Sequence, residues 1–395
     1  METAKNPRDA VVVAAVRTAV GKGKKGSLQW TRPDDLMAFA LKAAVEAAPG
    51  LDPADIDDVI VGTATPEAEQ GLNVGRIAAI RAGLPDSVPA ETVNRFCSSG
   101  VQAIAHGAER ILAGWADVIL AGGVESMSMV PMGGHHQLPN PTLAGTDPRV
   151  YTPMGLTAEF VAERFGVSRE DQDAFSLESH TRALAAQERG DFDDEIVPIE
   201  ITVYDEAGAA HQTTFSKDEG PRAGSTLEGL GKLRSPFKTA GSVTAASSSQ
   251  VSDGAAATLL MTREKAEALG LEILGVMRMY SVVGVPPDIM GVGPLYAIPK
   301  ALEKAGLTTD DIDVFEINEA FAAQALYCVR ELGIDPAKVN PNGGAIALGH
   351  PLGCTGARMT ATLLHEMKRK GHRWGVVSMC IGGGMGAAAV YEREN

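Results

Sequence analysis

Four stretches of this 395-residue chain carry residue types that do chemistry. In Asn94-Arg95-Phe96-Cys97-Ser98-Ser99-Gly100 a cysteine stands directly ahead of small residues, with Val101, Ile104, Ala108 and Ile111 at helical spacing. The spacing predicts a buried helix with Cys97 at or just before its first turn. A helix start offers unpaired N–H groups and the positive end of the dipole, which favour thiolate over thiol. Cys97 is therefore expected to be nucleophilic near neutral pH. Taken alone, it also fits a small buried apolar side chain. A second run, Asn342 to Gly356, holds His350 in a glycine-rich loop ahead of a small-residue helix. A third, Val376 to Gly386, ends a buried strand at Cys380 and continues as Gly382-Gly383-Gly384. The fourth, Ile317-Asn318-Glu319-Ala320-Phe321, follows a short strand. Glycine at this density lets backbone N–H groups approach a ligand closely. Cys328, among Leu326, Tyr327 and Val329, has no titratable neighbour and reads as core, and Cys354 packs a helix start.

The elements that must position these residues alternate. Val11–Val16, Val59–Thr63, Ala90–Asn94 and Val118–Gly123 read as buried strands. Helices are expected over Pro33–Ala48 and Asn73–Ala82. Continuous apolar strands between helices indicate an α/β architecture with a covered sheet. Gly21-Lys22-Gly23-Lys24-Lys25-Gly26 has the form of a dinucleotide fingerprint but does not open into a helix, and reads as a solvated basic loop. From Glu125 to about Gln250 the alternation breaks, with helices only at Thr157–Phe165 and Arg169–Arg189. An irregular stretch of this length reads as an inserted subdomain. Beyond Leu271 the first half repeats at a constant offset, Leu51 returning as Leu307 and Ile56 as Ile312. The expected organisation is a first half of 1–124 with 250–270, an insert of 125–249 and a second half of 271–395. A site between the halves would draw one cluster from each.

Composition narrows the partners. The formal net charge of −15 argues against nucleic acid, and an anionic ligand would need a local basic patch. Four cysteines in so long a chain are no disulfide framework and fit a reducing, cytoplasmic setting. No membrane span is expected, since no stretch has about 18 uninterrupted apolar residues. His135-His136 lacks spaced co-ligands, so no metal site is expected.

The motifs Asn94 to Gly100, Gly123-Val124-Glu125-Ser126-Met127-Ser128, Asn318-Glu319-Ala320-Phe321, Gly349-His350-Pro351 and Cys380-Ile381-Gly382-Gly383-Gly384 resemble those of the thiolase family, in the family's order. The resemblance covers nearly the whole chain. It implies a duplicated five-layered α/β/α/β/α fold with an inserted loop subdomain, assembled as a homodimer or homotetramer, and possible association with a β-oxidation multienzyme partner. It implies that Cys97 carries the acyl group, that His350 activates Cys97, and that Cys380 serves as acid and base. Asn318 and His350 would line one oxyanion hole; the backbone N–H groups of Cys97 and Gly382 would form the other. Coenzyme A enters as a substrate, with no permanently bound cofactor. The resemblance puts Arg222 near its adenine, Ser249 near its pantetheine, and Phe237, Met154, Met290 and Phe321 along the tunnel. Thioester exchange needs such a soft nucleophile, a base in reach and donors aimed at the developing oxyanion.

The implied reaction is thiolytic cleavage of 3-oxoacyl-CoA, with biosynthetic acetoacetyl-CoA formation as the alternative. A ketoacyl synthase would lack the second catalytic cysteine, and an inactive carrier would not need Cys97, His350 and Cys380. Lys217, Arg222, Lys232, Arg234 and Lys238 give the insert a local positive balance. Met127, Met129, Met132, Met154 and Phe160 are expected to line an adaptable acyl channel. Phe160 stands where the family segment often has Asn.

Overall fold

The computed structural model describes residues 5–394. In the first half β1 (Ala10–Arg17), β2 (Asp58–Gly62), β3 (Ala90–Val93), β4 (Val118–Ser126) and β5 (Ser252–Thr262) lie in the order β3-β2-β4-β5-β1. β2 runs parallel to β3 and β4, whereas β5 is antiparallel to β4 and β1. In the second half β6 (Gly275–Gly284), β7 (Val314–Ile317), β8 (Trp374–Ile381) and β9 (Met385–Glu392) follow the same path as β7-β8-β9-β6. The counterpart of β3 shrinks there to a single parallel bridge between Phe315 and Val339. The Asn340 side chain takes over the missing ladder: Nδ2 donates to the Ile317 carbonyl at 2.9 Å and Oδ1 accepts the Ile317 N–H at 2.8 Å. β1 and β6 pair over only Val11–Val276 and Val12–Gly275, which joins the two sheets at one edge.

Eight main helices complete the layers: α1 (Pro33–Glu46), α2 (Val74–Arg81), α3 (Ser99–Leu112), α4 (Met154–Phe165), α5 (Arg169–Arg189), α6 (Gly293–Ala305), α7 (Ala322–Glu331) and α8 (Leu352–Lys370). Leu36, Met37 and Leu41 of α1 and Ala78 of α2 cover the outer face of the first sheet, against Val61, Leu120 and Leu259. Ile298 and Leu302 of α6 and Val329 of α7 cover the outer face of the second, against Phe315, Val376 and Val390. α3 and α8 fill the space between, where Ile104, Ile111, Leu363 and Met367 share one core with Ile60, Ile119, Met379 and Tyr391. The result is the five-layered α/β/α/β/α arrangement. Because β4, β5 and β8 are covered on both faces, all their residues are buried, which is why their sequences are mostly small or apolar without an alternating polar face.

The two central helices touch backbone to backbone near their first turns. A Cβ added at Gly100 would lie 2.7 Å from the Ala357 nitrogen and 2.8 Å from the Gly353 oxygen. One at Gly356 would lie 2.5 Å from the Val101 nitrogen. Residues 96–98, ahead of α3, are thereby set beside residues 350–351, ahead of α8.

The insert carries α4, α5 and a hairpin of Ile199–Tyr204 with Ala210–Phe215. It is tied to β1 by Arg17, which donates to Glu195 Oε1 at 2.6 Å and to both Asp218 oxygens at 2.8 and 2.9 Å, all three side chains buried. The Gly21–Gly26 stretch differs from the solvated loop expected. Gly21-Lys22 pairs with Ser252-Asp253, and the Glu219 carboxylate accepts the Lys22 and Ser27 N–H groups, leaving Lys24 and Lys25 exposed.

The helix contact makes a signed prediction for Gly100→Ala. Overpacking costs about 1–3 kcal/mol, whereas Gly→Ala at an unstrained helical position would by itself stabilise by about 0.4–1 kcal/mol. Denaturant unfolding should show the loss; a gain would mean that α3 and α8 are not in contact.

Candidate active site

The approach to Cys97 is held by side chains of its own loop. The Asn94 Oδ1 accepts the Phe96 N–H at 2.8 Å, and the Ser99 Oγ accepts the Arg95 N–H at 2.8 Å. Phe96 has φ +45°, a left-handed conformation unusual for an aromatic residue, and such strain collects at functional turns. Cys97 follows within a 3-10 turn, Phe96–Ser98, packed against Ala64, Met127 and Leu352. The N–H groups of Gly382 and of Cys97 itself both point at its sulfur.

The thiolate expected from the helix start is not the resting form. Burial pushes the Cys97 thiol up to about 11, and the two N–H groups recover only part of that; the Glu125 charge adds in the same upward direction. Desolvation of a charge outweighs a helix terminus here because Cys97 is cut off from water.

His350 is buried just before α8. Its Nδ1 lies 2.6 Å from the Thr355 Oγ1, and that hydroxyl donates its only proton to the Pro351 carbonyl at 2.9 Å. With the hydroxyl proton directed at the Pro351 carbonyl, Nδ1 carries the ring proton and Nε2 is the ring's acceptor. Nε2 faces the Asn318 amide nitrogen at 3.3 Å. Burial, and then the nearby Arg358 charge, push His350 down to about 3, so the ring is neutral and can accept a proton. The Asn318 Oδ1 is buried without a partner among the described residues.

Cys380, the penultimate residue of β8, has its sulfur 3.6 Å from the Gln324 Oε1. Burial raises its thiol well above the ordinary value, and Cys97 contributes in the same direction, which places the two sulfurs in one electrostatic neighbourhood. Around Cys380 pack Met154, Met290, Phe321, Ala158 and Val243, and Phe237 meets Phe321 edge to face with ring centres 6.1 Å apart. Five residues from four separate stretches, Cys97, Asn318, His350, Cys380 and Gly382, thus lie together with an apolar wall behind them.

The outer residues divide differently. Arg222 is exposed at the rim of a cleft whose wall includes His180, Ser225, Leu233, Ser248 and Gln250. Ser248 lines this cleft, and the neighbouring Ser249, part-exposed, is tied by its N–H to the Ala320 carbonyl at 2.9 Å. The positive balance is smaller than the sequence suggested, since Lys232 pairs with Glu228 and Lys238 with Glu163. The expected channel also contracts. Met127 and Met154 border the site, but Met132 is on the surface, and Phe160 packs with Phe165, Val285 and Ile289 away from both cysteines. Helix α4 turns Met154 inward, and Phe160, six residues on, falls on a different face. Sequence reasoning did not single out Thr355, Gln324 or His180. Thr355 sits within the Asn342 to Gly356 run already singled out; Gln324 lies three residues beyond the Ile317 to Phe321 run, and His180 has no local signal.

Comparison with known proteins agrees with this geometry. The family model for the thiolase N-terminal domain matches residues 10–264, and that for the thiolase C-terminal domain matches 271–393. The 3-ketoacyl-CoA thiolase of Bacillus subtilis is 57% identical over 390 residues, 98% of this chain and 99% of that one. The human peroxisomal 3-ketoacyl-CoA thiolase is 54% identical over 97% of this chain and 91% of its own. The crystal structure of the dimeric peroxisomal thiolase of Saccharomyces cerevisiae superposes with a TM-score of 0.91 at 46% identity, covering 99% of both chains. With both halves of the chain matched by the family's two domain models and the duplicated sheet in place, this protein belongs to the thiolase family.

Proposed function

We propose that the chain is a 3-ketoacyl-CoA thiolase, an acyltransferase that cleaves 3-oxoacyl-CoA with coenzyme A into acetyl-CoA and an acyl-CoA two carbons shorter. The observation that carries this reading is the grouping of two buried thiols, Cys97 and Cys380, with a neutral His350 whose Nε2 faces Asn318. One thiol can form the thioester while the other moves the proton at carbon. His350 Nε2 takes the Cys97 proton as the sulfur bonds to the 3-carbonyl carbon. The oxyanion, on the carbon now bonded to Cys97, is met by the N–H groups of Cys97 and Gly382 that lie at that sulfur. The C2–C3 bond then breaks, and Cys380 protonates C2 to release acetyl-CoA, whose thioester oxygen is held by Asn318 and the protonated His350 ring. Cys380 next takes the proton of incoming coenzyme A, whose sulfur displaces Cys97 from the acyl group, and His350 returns its proton to the departing Cys97 sulfur. Coenzyme A is consumed as a substrate, and no resident cofactor has a part. Four free cysteines suit a reducing compartment, and a cytoplasmic setting is our reading for this chain.

The assembly follows from the edge strand. β3 ends the sheet with its outer edge unpaired, and Leu72 and Phe96 beside it are 95% and 45% exposed. Such an edge invites a second strand, and the yeast relative is described as dimeric. We read this chain as a homodimer joined at β3. Light scattering should return twice the 41.2 kDa chain mass; a monomer would reject the reading, and a tetramer would add a second interface.

The division of labour between the sulfurs is tested by Cys380→Ser. The variant should still accept an acetyl group on Cys97 from acetyl-CoA, read by peptide mass. Thiolysis should fall by about 10²–10⁴-fold, the usual contribution of a proton-transfer group. Near-normal thiolysis would make Cys380 structural.

The substrate range is tested by kcat/KM for 3-oxoacyl-CoA of four to sixteen carbons. Each methylene entering the apolar wall at Met127 and Met154 contributes about 0.8 kcal/mol of burial, so activity should hold or rise beyond four carbons. A steep drop between four and six would favour an acetoacetyl-specific enzyme.

A further inference from the structure

Glu125, the penultimate residue of β4, is buried at 1% exposure, yet no step above uses it. Its carboxylate accepts four N–H groups. Oε2 takes those of Ala64 at 2.7 Å and Gly353 at 2.8 Å; Oε1 takes the Gln70 side-chain amide at 2.7 Å and the Thr65 N–H at 3.2 Å. Burial raises this carboxyl, and the four donors pull it back toward the ionised form that their geometry fits. The donors come from both halves of the molecule. Ala64, Thr65 and Gln70 belong to the loop after β2, which lies against Cys97 through Ala64. Gly353 is in the first turn of α8, three residues after His350. The clamp has no slack: a Cβ at Gly353 would lie 2.5 Å from the Thr63 Cα and 2.8 Å from the Glu125 Oε2 itself.

We propose that Glu125 is a positioning residue for the transfer of the Cys97 proton to His350, clamping the wall behind the nucleophile to the helix that carries the base. The inference rests on the thiolase reading for its catalytic role. The same carboxylate also acts through space on Cys97, in the direction that favours thiol. The titratable groups around this pair are Cys380 beside Cys97 and Cys354 beside Glu125.

The two effects separate in Glu125→Gln, which keeps the shape, removes the charge and turns an NH2 toward donors. Thiolysis kcat should fall about 10- to 100-fold, the scale of a misplacement near 1 Å, with the KM for coenzyme A within about twofold. Cys97 alkylation by iodoacetamide should become faster at pH 7–8, its profile moved to lower pH by loss of the negative charge. An unchanged kcat overturns the proposal. So does a joint fall of kcat and alkylation rate with a lowered thermal midpoint, which is general loosening. If Glu125→Gln does not fold, Gln70→Leu removes one of the four donors and should lower kcat about 3- to 10-fold; no change would equally overturn it. If the wild-type chain cleaves no 3-oxoacyl-CoA, the functional reading fails, and the alkylation comparison still shows whether Glu125 acts on Cys97.

Discussion

The site depends on one close contact, the crossing of α3 and α8 at Gly100, Gly353 and Gly356. Each half of a duplicated fold supplies one of these helices to the layer between the sheets. Each helix is preceded by a chemistry-bearing turn, Cys97 in one and His350 in the other. Glycine at the crossing lets the backbones meet, and the nucleophile and the base are neighbours only because they do. Neither half holds a complete site. The second half adds Cys380 and Gly382 from the end of β8, which corresponds to the end of β4 in the first half, where Glu125 lies.

Burial then sets the protonation states. Inside this dry site charged forms are costly, so Cys97 rests as a thiol and His350 as a neutral imidazole. The Thr355 hydroxyl fixes which ring nitrogen is the acceptor, and that nitrogen is the one facing Asn318. A neutral pair of this kind moves its proton only when a substrate carbonyl takes up the charge. Donors already aimed at the sulfur and at the Asn318 side cost no reorganisation at that moment.

The insert is fastened to the site by buried carboxylates as well as by apolar packing. Glu319 accepts from Ser179 of α5 at 2.7 Å, from Asn340 at 2.9 Å and from the Ile346 N–H at 3.2 Å. Arg17 binds Glu195 and Asp218 from the opposite side. Removing one partner from such a set leaves an uncompensated buried charge. Helix α4, which carries Met154, has its own carboxylate clamp: Glu159 accepts the Ser242 N–H at 2.9 Å and the Val243 N–H at 3.1 Å.

Much of this was legible in the residue order. Periodicity located the strands and helices, the Leu51 and Leu307 repeat disclosed the duplication, and five motifs named Cys97, Asn318, His350, Cys380 and Gly382. Those signals are local in sequence, because a strand buried on both faces or a reactive loop writes its needs into adjacent residues. Other properties reside in distances between remote residues. A helix start suggested a thiolate at Cys97, but the sign was decided by how completely tertiary packing excludes water. Met154 and Phe160 look alike in the sequence and lie on different faces of one helix. The third strand of the second half is replaced by the Asn340 side chain, and the Glu125 clamp joins residues far apart in the chain. The sequence by itself determined which groups could react; only tertiary structure determined their charge and their neighbours, because desolvation and contact depend on everything packed around them.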